Sequence, residues 1–116
     1  MQFQFGKTGH QMRWYAHLYT GKFAKQHRLS ILRGLRNGKS MPSVYVITRA
    51  LGPDGLLDIF RCGTLYGDYY AKQDPLVVGI ALSRREALEV ARNIVDDMYR
   101  ENGDFDIDAF LSGGHT

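Results

Sequence analysis

Apolar and polar residues alternate along the first twenty residues of the chain. Phe3 and Phe5 have polar neighbours, and the positions between Met12 and Leu18 alternate again, with a high aromatic content. A period of two rich in aromatic residues suits a half-buried strand. Residues 1–20 are therefore predicted to be extended, with a helix as the competing interpretation.

The apolar spacing changes to that of a helix over residues 23–37. At about 100° per residue, Ile31 and Leu35 share one side of such a helix, and basic residues occupy the neighbouring side. Two features weaken this helix. Gly34 costs ~1 kcal/mol relative to alanine in a helix interior, and Arg28 is predicted to project into the apolar side.

The middle of the chain has the pattern of strands separated by turns. Residues 43–51 are β-branched and alternating, which favours a strand, and the Gly-Pro-Asp-Gly at 52–55 is typical of a turn. Residues 56–61 then return as the second arm of a hairpin, or form a helical turn. Residues 62–74 are predicted to be irregular, and the apolar run at 75–82 fits a central strand.

The clearest helix covers residues 83–101. Ser83 and Glu86 form a capping box, in which each side chain accepts a hydrogen bond from a free backbone N–H of the first turn. An apolar stripe at helical spacing follows and predicts one buried side. Its members are Ala87, Leu88, Ala91, Ile94, Val95 and Met98.

A last short helix is predicted from Asp104 or Asp106 to Leu111, with residues 112–116 as a frayed tail. The order of elements, β–α–β–β–irregular–β–α–α, predicts an α+β fold. We expect a single small domain over residues 1–116. In it, an antiparallel sheet of three to four strands is packed by two main helices and the short C-terminal helix.

Charge is distributed unevenly along the chain. Residues 1–53 carry nine Lys or Arg and no acid, whereas residues 54–116 hold all twelve acids and six bases. Six of the bases in the N-terminal half fall between Gly21 and Ser40. Such a segment is typical of a surface that binds a polyanion. Its charged residues are Lys22, Lys25, Arg28, Arg33, Arg36 and Lys39.

We interpret the basic half as a surface that contacts the backbone of a nucleic acid, with aromatic side chains that stack on unpaired bases. The candidate aromatic residues are Trp14, Tyr15 and Tyr19. An acidic protein is an alternative partner. The acidic half of the protein is another alternative partner, either in the same chain or in the second subunit of a homodimer. The plainest alternative is a solvated helix side with the aromatic residues in the core.

A second hypothesis places the function in the acidic half. Tyr66, Tyr69 and Tyr70 lie in a glycine-containing segment, and tyrosine is enriched at protein interfaces. With the acidic helix 84–101, these residues predict a protein-interaction or inhibitor module, for example against a nucleic-acid-processing enzyme. The alternative is that two of the three tyrosines cover the sheet edge.

The sequence carries no catalytic motif. One cysteine, Cys62, excludes an internal disulfide and a four-cysteine zinc site. No two histidines are spaced i, i+4 on one helix; the four are His10, His17, His27 and His115. The alternating acids at 104–108 lack the glycine and the terminal glutamate of a calcium loop. We therefore predict a non-enzymatic protein without a cofactor or metal, with a small enzyme that uses Cys62 or a pair of histidines as the alternative.

The chain also lacks targeting signals that would place it elsewhere than the cytoplasm. No apolar run approaches the ~20 residues that a membrane-spanning helix requires. The N-terminus has no basic-then-apolar order of a signal peptide. A cytoplasmic location without membrane contact is the expectation.

The hydrophobic pattern resembles that of small, uncharacterised bacterial proteins of mobile or accessory genetic regions. The resemblance runs from Arg13 to Leu111. Its motifs are Arg13-Trp14-Tyr15, Leu18-Tyr19-Thr20-Gly21, Val44-Tyr45-Val46-Ile47-Thr48, Leu56-Leu57-Asp58-Ile59, Val78-Gly79-Ile80-Ala81 and Glu86-Ala87-Leu88-Glu89. It implies an intracellular accessory protein that is not an enzyme, of a kind that sometimes inhibits host defence nucleases. It supplies no catalytic residues.

Overall fold

A mixed β-sheet with helices on both faces organises the protein. The structure, a computed structural model, describes residues 13–113 of the 116-residue chain. The strands are β1 (Arg13–Thr20), β2 (Tyr45–Arg49), β3 (Leu57–Arg61) and β4 (Leu76–Ala81). The helices are α1 (Arg28–Arg36), α2 (Cys62–Leu65), α3 (Asp68–Gln73), α4 (Arg84–Asn102) and α5 (Ile107–Gly113), and a 3₁₀ turn (Ala24–His27) leads into α1.

The described strands lie in the order β1-β4-β2-β3. Strand β2 is antiparallel to both β3 and β4, so the predicted hairpin and the central position of β4 are confirmed. The α+β class is confirmed as well. The prediction of an antiparallel sheet is wrong in one pairing, because β1 runs parallel to β4. The long connection through α1 and the β2–β3 hairpin allows this pairing, since parallel strands need a crossover connection.

The two main helices lie on opposite faces of this sheet. Helices α4 and α5 cover one face, which we call the α4 face. Its buried residues include Tyr15, Ile47, Val78, Ala87, Val90, Ile94, Met98, Ile107 and Phe110. Helices α1 and α2 cover the other, the α1 face. Its buried residues include Ala24, Ile31, Leu35, Val44, Val46, Cys62, Leu65, Val77 and Ile80.

Helix α4 has the predicted caps at Ser83 and Gly103, but only the Ser83 half of the predicted capping box forms, because the Glu86 carboxylate accepts hydrogen bonds from Leu82 N–H and Phe23 N–H instead. The backbone N–H of Glu86 donates to Ser83 Oγ at 3.0 Å, and Gly103 ends the helix with φ 76°. The buried side of the helix differs from the predicted apolar stripe. Leu88 is exposed, whereas Val90 is buried with Ala87, Ile94 and Met98. The helix thus packs on the sheet along positions 87, 90, 94 and 98.

Two predictions for α1 are corrected by its surroundings. Arg28 is exposed instead of lying on the apolar side, because the chain changes there from a 3₁₀ turn to an α-helix and a constant 100° spacing does not hold across the change. Gly34 is buried, and a Cβ at this position would lie 2.5 Å from Met41 Sδ. The glycine therefore allows the returning chain to pack closely on the helix.

The predicted irregular segment 62–74 is instead two short helices, α2 and α3. Each glycine in the segment lies at a place that helices tolerate, Gly63 in the first turn of α2 and Gly67 before α3.

The short C-terminal helix is confirmed, with Asp106 Oδ1 accepting a hydrogen bond from Ala109 N–H at 3.1 Å. Predictions for residues 1–12, with Phe3, Phe5 and His10, and for the tail beyond Gly113 lie outside the described residues. Among those described, no helix is long and apolar enough to cross a membrane.

A bidentate ion pair attaches α5 to the sheet. Arg49 Nε and Nη2 donate to Asp108 Oδ1 and Oδ2 at 2.8 and 3.1 Å. The hydrogen bond from Arg49 holds the pKa of the Asp108 carboxyl below its ordinary value. A depressed pKa in the folded state stabilises the fold above the unfolded-state pKa and loses that contribution as pH falls through the folded value.

We therefore expect an Arg49→Gln variant to raise the pKa of Asp108, and we expect the stability difference between variant and wild type to narrow as pH falls below about 4. The part of the difference that comes from the hydrogen bonds of Arg49 Nη1 to Ala50 O and Gly55 O should remain. Carboxyl NMR titration of Asp108 in both proteins measures the first effect, and denaturant unfolding at several pH values measures the second. Identical Asp108 titration curves would contradict the assignment.

Candidate nucleic-acid interface

The basic segment is fixed to the fold at both ends by backbone hydrogen bonds. At its start, Gly21 N–H donates to Ile80 O of β4 at 2.9 Å. At its end, Lys39 N–H donates to Gly34 O at 2.8 Å, and Lys39 O accepts a hydrogen bond from the hydroxyl of Tyr66 at 2.9 Å. The residues between these points, including the 3₁₀ turn and α1, therefore form one attached unit.

A buried carboxylate connects this segment to α4. The side chain of Glu86 accepts hydrogen bonds from Leu82 N–H at 2.7 Å and from Phe23 N–H. It thus satisfies backbone donors at the start of α4 and at the start of the 3₁₀ turn, which would otherwise be unpaired. A Cβ on Gly21 would lie 2.3 Å from Glu86 Cδ, so glycine at this position leaves room for the carboxylate.

The solvent side of α1 combines one large apolar residue with two arginines. Leu29, Arg33 and Arg36 follow at i, i+4 and i+7, a spacing that places them on one side of a helix. All three are exposed, Leu29 at 73%. The opposite side of the helix packs on the sheet through its buried residues Ile31, Gly34 and Leu35.

All six predicted cations of the segment are exposed, and none forms an ion pair with an acid among residues 13–113. The cations are Lys22, Lys25, Arg28, Arg33, Arg36 and Lys39. The ion pairs of the described chain use Arg13, Arg49 and Arg100 instead. The cations of the basic segment are therefore not paired directly with acids of the described chain. We call the surface of residues 22–39 the cationic surface.

The predicted aromatic residues are divided between the two faces of the sheet. Trp14 packs on the α1 face and is half-buried. Tyr15 is buried on the α4 face. Tyr19 lies there too, and its hydroxyl donates to Asp97 Oδ2 at 2.5 Å; burial, together with this hydrogen bond, raises the pKa of Tyr19. Tyr15 and Tyr19 thus lie on the face of the sheet opposite the cationic surface.

Alternation along β1 accounts for this distribution, since Trp14 is next to Tyr15 and Tyr19 is four residues further on. A bulge in β1 adds an irregularity between them. Trp14 and Tyr19 are five residues apart in β1, yet they pair with Val77 and Gly79, which are only two apart in β4. The extra residues place the ring centroids of Tyr15 and Tyr19 6.5 Å apart, with nearly parallel planes. Alternation along the sequence could not reveal this short distance.

The three tyrosines of the second hypothesis are mostly occupied within the fold. Tyr66 is half-buried at the end of α2, and burial raises its pKa. Tyr70 packs against Phe60 with ring centroids 4.6 Å apart. Only Tyr69 of these three is largely exposed, at 64%, with its ring edge-on to Tyr70. Coverage of the sheet edge thus accounts for Tyr70, while Tyr69 presents a free ring surface.

An exposed aromatic pair near the end of α4, across the sheet from the cationic surface, was not predicted. Tyr99 and Phe105 are each about half exposed, and their rings stack with centroids 5.2 Å apart. They line an open groove of about 590 Å³ with Val95, Asp96 and Arg100. The sequence signal for this pair was an aromatic residue on the polar side of α4, followed by a phenylalanine between two aspartates.

The described residues that could carry chemistry are dispersed. No three or more His, Cys, Asp or Glu side chains among residues 13–113 come together as metal ligands. The thiol of Cys62 is buried, and it donates to Met41 O at 3.3 Å. Most side chains around it are apolar, and the hydroxyl of Tyr66 lies beside the thiol.

The comparisons with known proteins identify no relative. No family model matches the chain, and neither does any curated protein or solved structure. The arguments for function therefore rest on the cationic surface and on the aromatic groove.

Proposed function

We propose that this protein binds nucleic acid through the phosphate backbone, and that the cationic surface of residues 22–39 makes the contacts. The observation that carries the proposal is the set of six exposed Lys and Arg side chains without an ion pair to a described acid. Cations of this kind gain affinity for nucleic acid chiefly by releasing counterions condensed on the phosphates.

The layout of the surface favours sequence-independent binding. Arg33 and Arg36 lie on the solvent side of α1, and Lys39 is fixed beside the end of that helix. Phosphate contacts position a protein on nucleic acid but carry no sequence information. Because Tyr15 and Tyr19 lie on the other face of the sheet, stacking by these residues does not add a preference for single strands.

Fluorescence anisotropy with labelled duplex DNA, single-stranded DNA and RNA tests the proposal. Each phosphate contact on a duplex lowers log K by ~0.9 per unit of log salt, so contacts from all six cations would give a slope near −5 between ~50 and ~300 mM salt. Absence of binding at low salt, or a flat response, would refute it. Equal affinity for polyglutamate would identify an acidic protein as the partner.

A second candidate function, protein interaction through the acidic half, is supported by the exposed ring of Tyr69. Tyr69→Ala would then abolish capture of the protein partner and leave the nucleic-acid titration unchanged. Tyr70→Ala is an unsuitable control because its ring packs on Phe60. Loss of nucleic-acid binding in Tyr69→Ala would count against this candidate.

A further inference from the structure

The groove at the end of α4 has an apolar floor and acidic surroundings. Val95, Tyr99 and Phe105 supply the apolar surface. Asp96 lies at the edge of the groove, is exposed and forms no ion pair with a described residue. Two further carboxylates, Asp104 and Asp106, flank Phe105 in the sequence.

The basic side chains near this groove leave its acidic character in place. Arg100 Nη1 lies 2.8 Å from Asp97 Oδ1, so its charge is largely compensated. Arg92, one helical turn before Asp96, is exposed. Of the six acids between residues 96 and 108, Asp97 pairs with Arg100 and Asp108 with Arg49, which leaves four acids without an ion pair to a described residue. The groove therefore suits a ligand with an apolar residue next to positive charge.

The solvent side of α1 has this composition. Leu29 is the most exposed large apolar residue of the described chain, and Arg33 and Arg36 lie one and two turns further along the same side of the helix. An arginine near an aromatic ring also gains a cation–π contact.

One molecule cannot bring these two surfaces together, since α1 and α4 lie on opposite faces of its sheet. Two molecules can. We propose that the groove beside Tyr99 and Phe105 binds α1 of a second copy of this chain, with Leu29 on the aromatic rings and Arg33 and Arg36 against Asp96 and its acidic neighbours.

Such a contact joins different surfaces of the two copies. A heterologous contact of this kind leaves one free groove and one free helix at the ends, so association continues unless the rotation closes a ring. The same helix carries the cationic surface. If the proposed function holds, a nucleic acid and a second copy compete for it; the self-association itself does not depend on that function.

Sedimentation velocity with two variants of the full chain tests the proposal. One variant, Leu29→Glu with Arg33→Glu, removes the helix surface; the other, Asp96→Lys with Tyr99→Ala, removes the groove. All four side chains are exposed, so folding should persist, and circular dichroism checks it. The experiment is done at ~20 mM and ~0.5 M salt, because a Debye length of only a few ångströms screens the contact at the higher value.

We expect wild type at low salt to grow in mass with concentration and to return to the 13.2 kDa monomer at high salt. Each variant alone stays monomeric. An equimolar mixture forms a heterodimer of twice that mass and grows no further, because only one functional helix and one functional groove are present.

A wild type that is monomeric at all concentrations at low salt would overturn the proposal. So would variants that associate like wild type, or a mixture that stays monomeric. Nucleic-acid binding by a monomeric wild type would overturn the self-association alone, and self-association without nucleic-acid binding would overturn the proposed function alone.

Discussion

Reversal of charge at Arg33 and Arg36 should lower the affinity for duplex DNA about 100-fold at low salt. A hydrogen bond to a charged group contributes about 1.5–3 kcal/mol, and every 1.4 kcal/mol is a factor of ten in affinity. Both side chains lie on the exposed side of α1, so their replacement by glutamate should not disturb the core. Fluorescence anisotropy at constant salt measures the change.

The matched control reverses Arg84 and Arg85, which makes the same change in net charge at the start of α4. Both are exposed and lie on the helix that covers the α4 face. If binding depends on the cationic surface, this control should lose several-fold in affinity at most. An equal loss in both variants would show that net charge alone attracts the nucleic acid.

The largest expected loss of stability follows from Glu86→Ala. The substitution removes the acceptor of two backbone N–H groups, those of Leu82 and Phe23, in a position where the glutamate is only 3% exposed. Unsatisfied buried donors cost about 1–3 kcal/mol each. We expect a decrease of about 3 kcal/mol in the free energy of unfolding, or roughly 10 °C in melting temperature.

Two variants make this result specific. Glu89→Ala, on the exposed side of the same helix, should change stability by no more than about 0.5 kcal/mol. Glu86→Gln keeps one carbonyl acceptor and should fall between alanine and wild type. Denaturant unfolding at pH 7 gives all three values. Equal stabilities of Glu86→Ala and Glu89→Ala would contradict the role of Glu86.

Local signals in the sequence were sufficient for most elements of the fold. The Ser83 cap, the glycine at 103 and the turn at 52–55 act through neighbouring residues, and the corresponding helix and hairpin are present. The parallel pairing of β1 with β4 depends on residues more than fifty positions apart. Alternation within one strand carries no information about such a partner.

The sequence predicted the exposed charges of the candidate site better than it predicted the positions of its aromatic residues. Lysine and arginine on an amphipathic segment are expected to be exposed, because burial of an unpaired charge is costly. All six cations are exposed, including Arg28, for which the helical spacing predicted the apolar side. Trp14, Tyr15 and Tyr19 fit either a surface or a core. Alternation along β1 places Trp14 on one face and the two tyrosines on the other, but tertiary packing decides which face α4 covers, as in the hydrogen bond from Tyr19 to Asp97.

The opposite charges of the two halves correspond to two helical layers. The basic segment lies on the α1 face, and the acidic residues of α4 and α5 lie on the other. Glu86 bridges the two layers, since its carboxylate accepts a hydrogen bond from Phe23 N–H, but no cation of the cationic surface forms an ion pair with a described acid. These cations without an ion pair are the physical basis of both proposals.

The salt dependence of duplex binding tests the central claim most directly. The slope of log K against log salt should be smaller in magnitude by about 1.8 in an Arg33→Gln, Arg36→Gln variant than in wild type, since each phosphate contact contributes ~0.9. Substitution by glutamine removes the charges without adding repulsion. An unchanged slope in this variant would mean that Arg33 and Arg36 do not contact phosphates and would contradict the account.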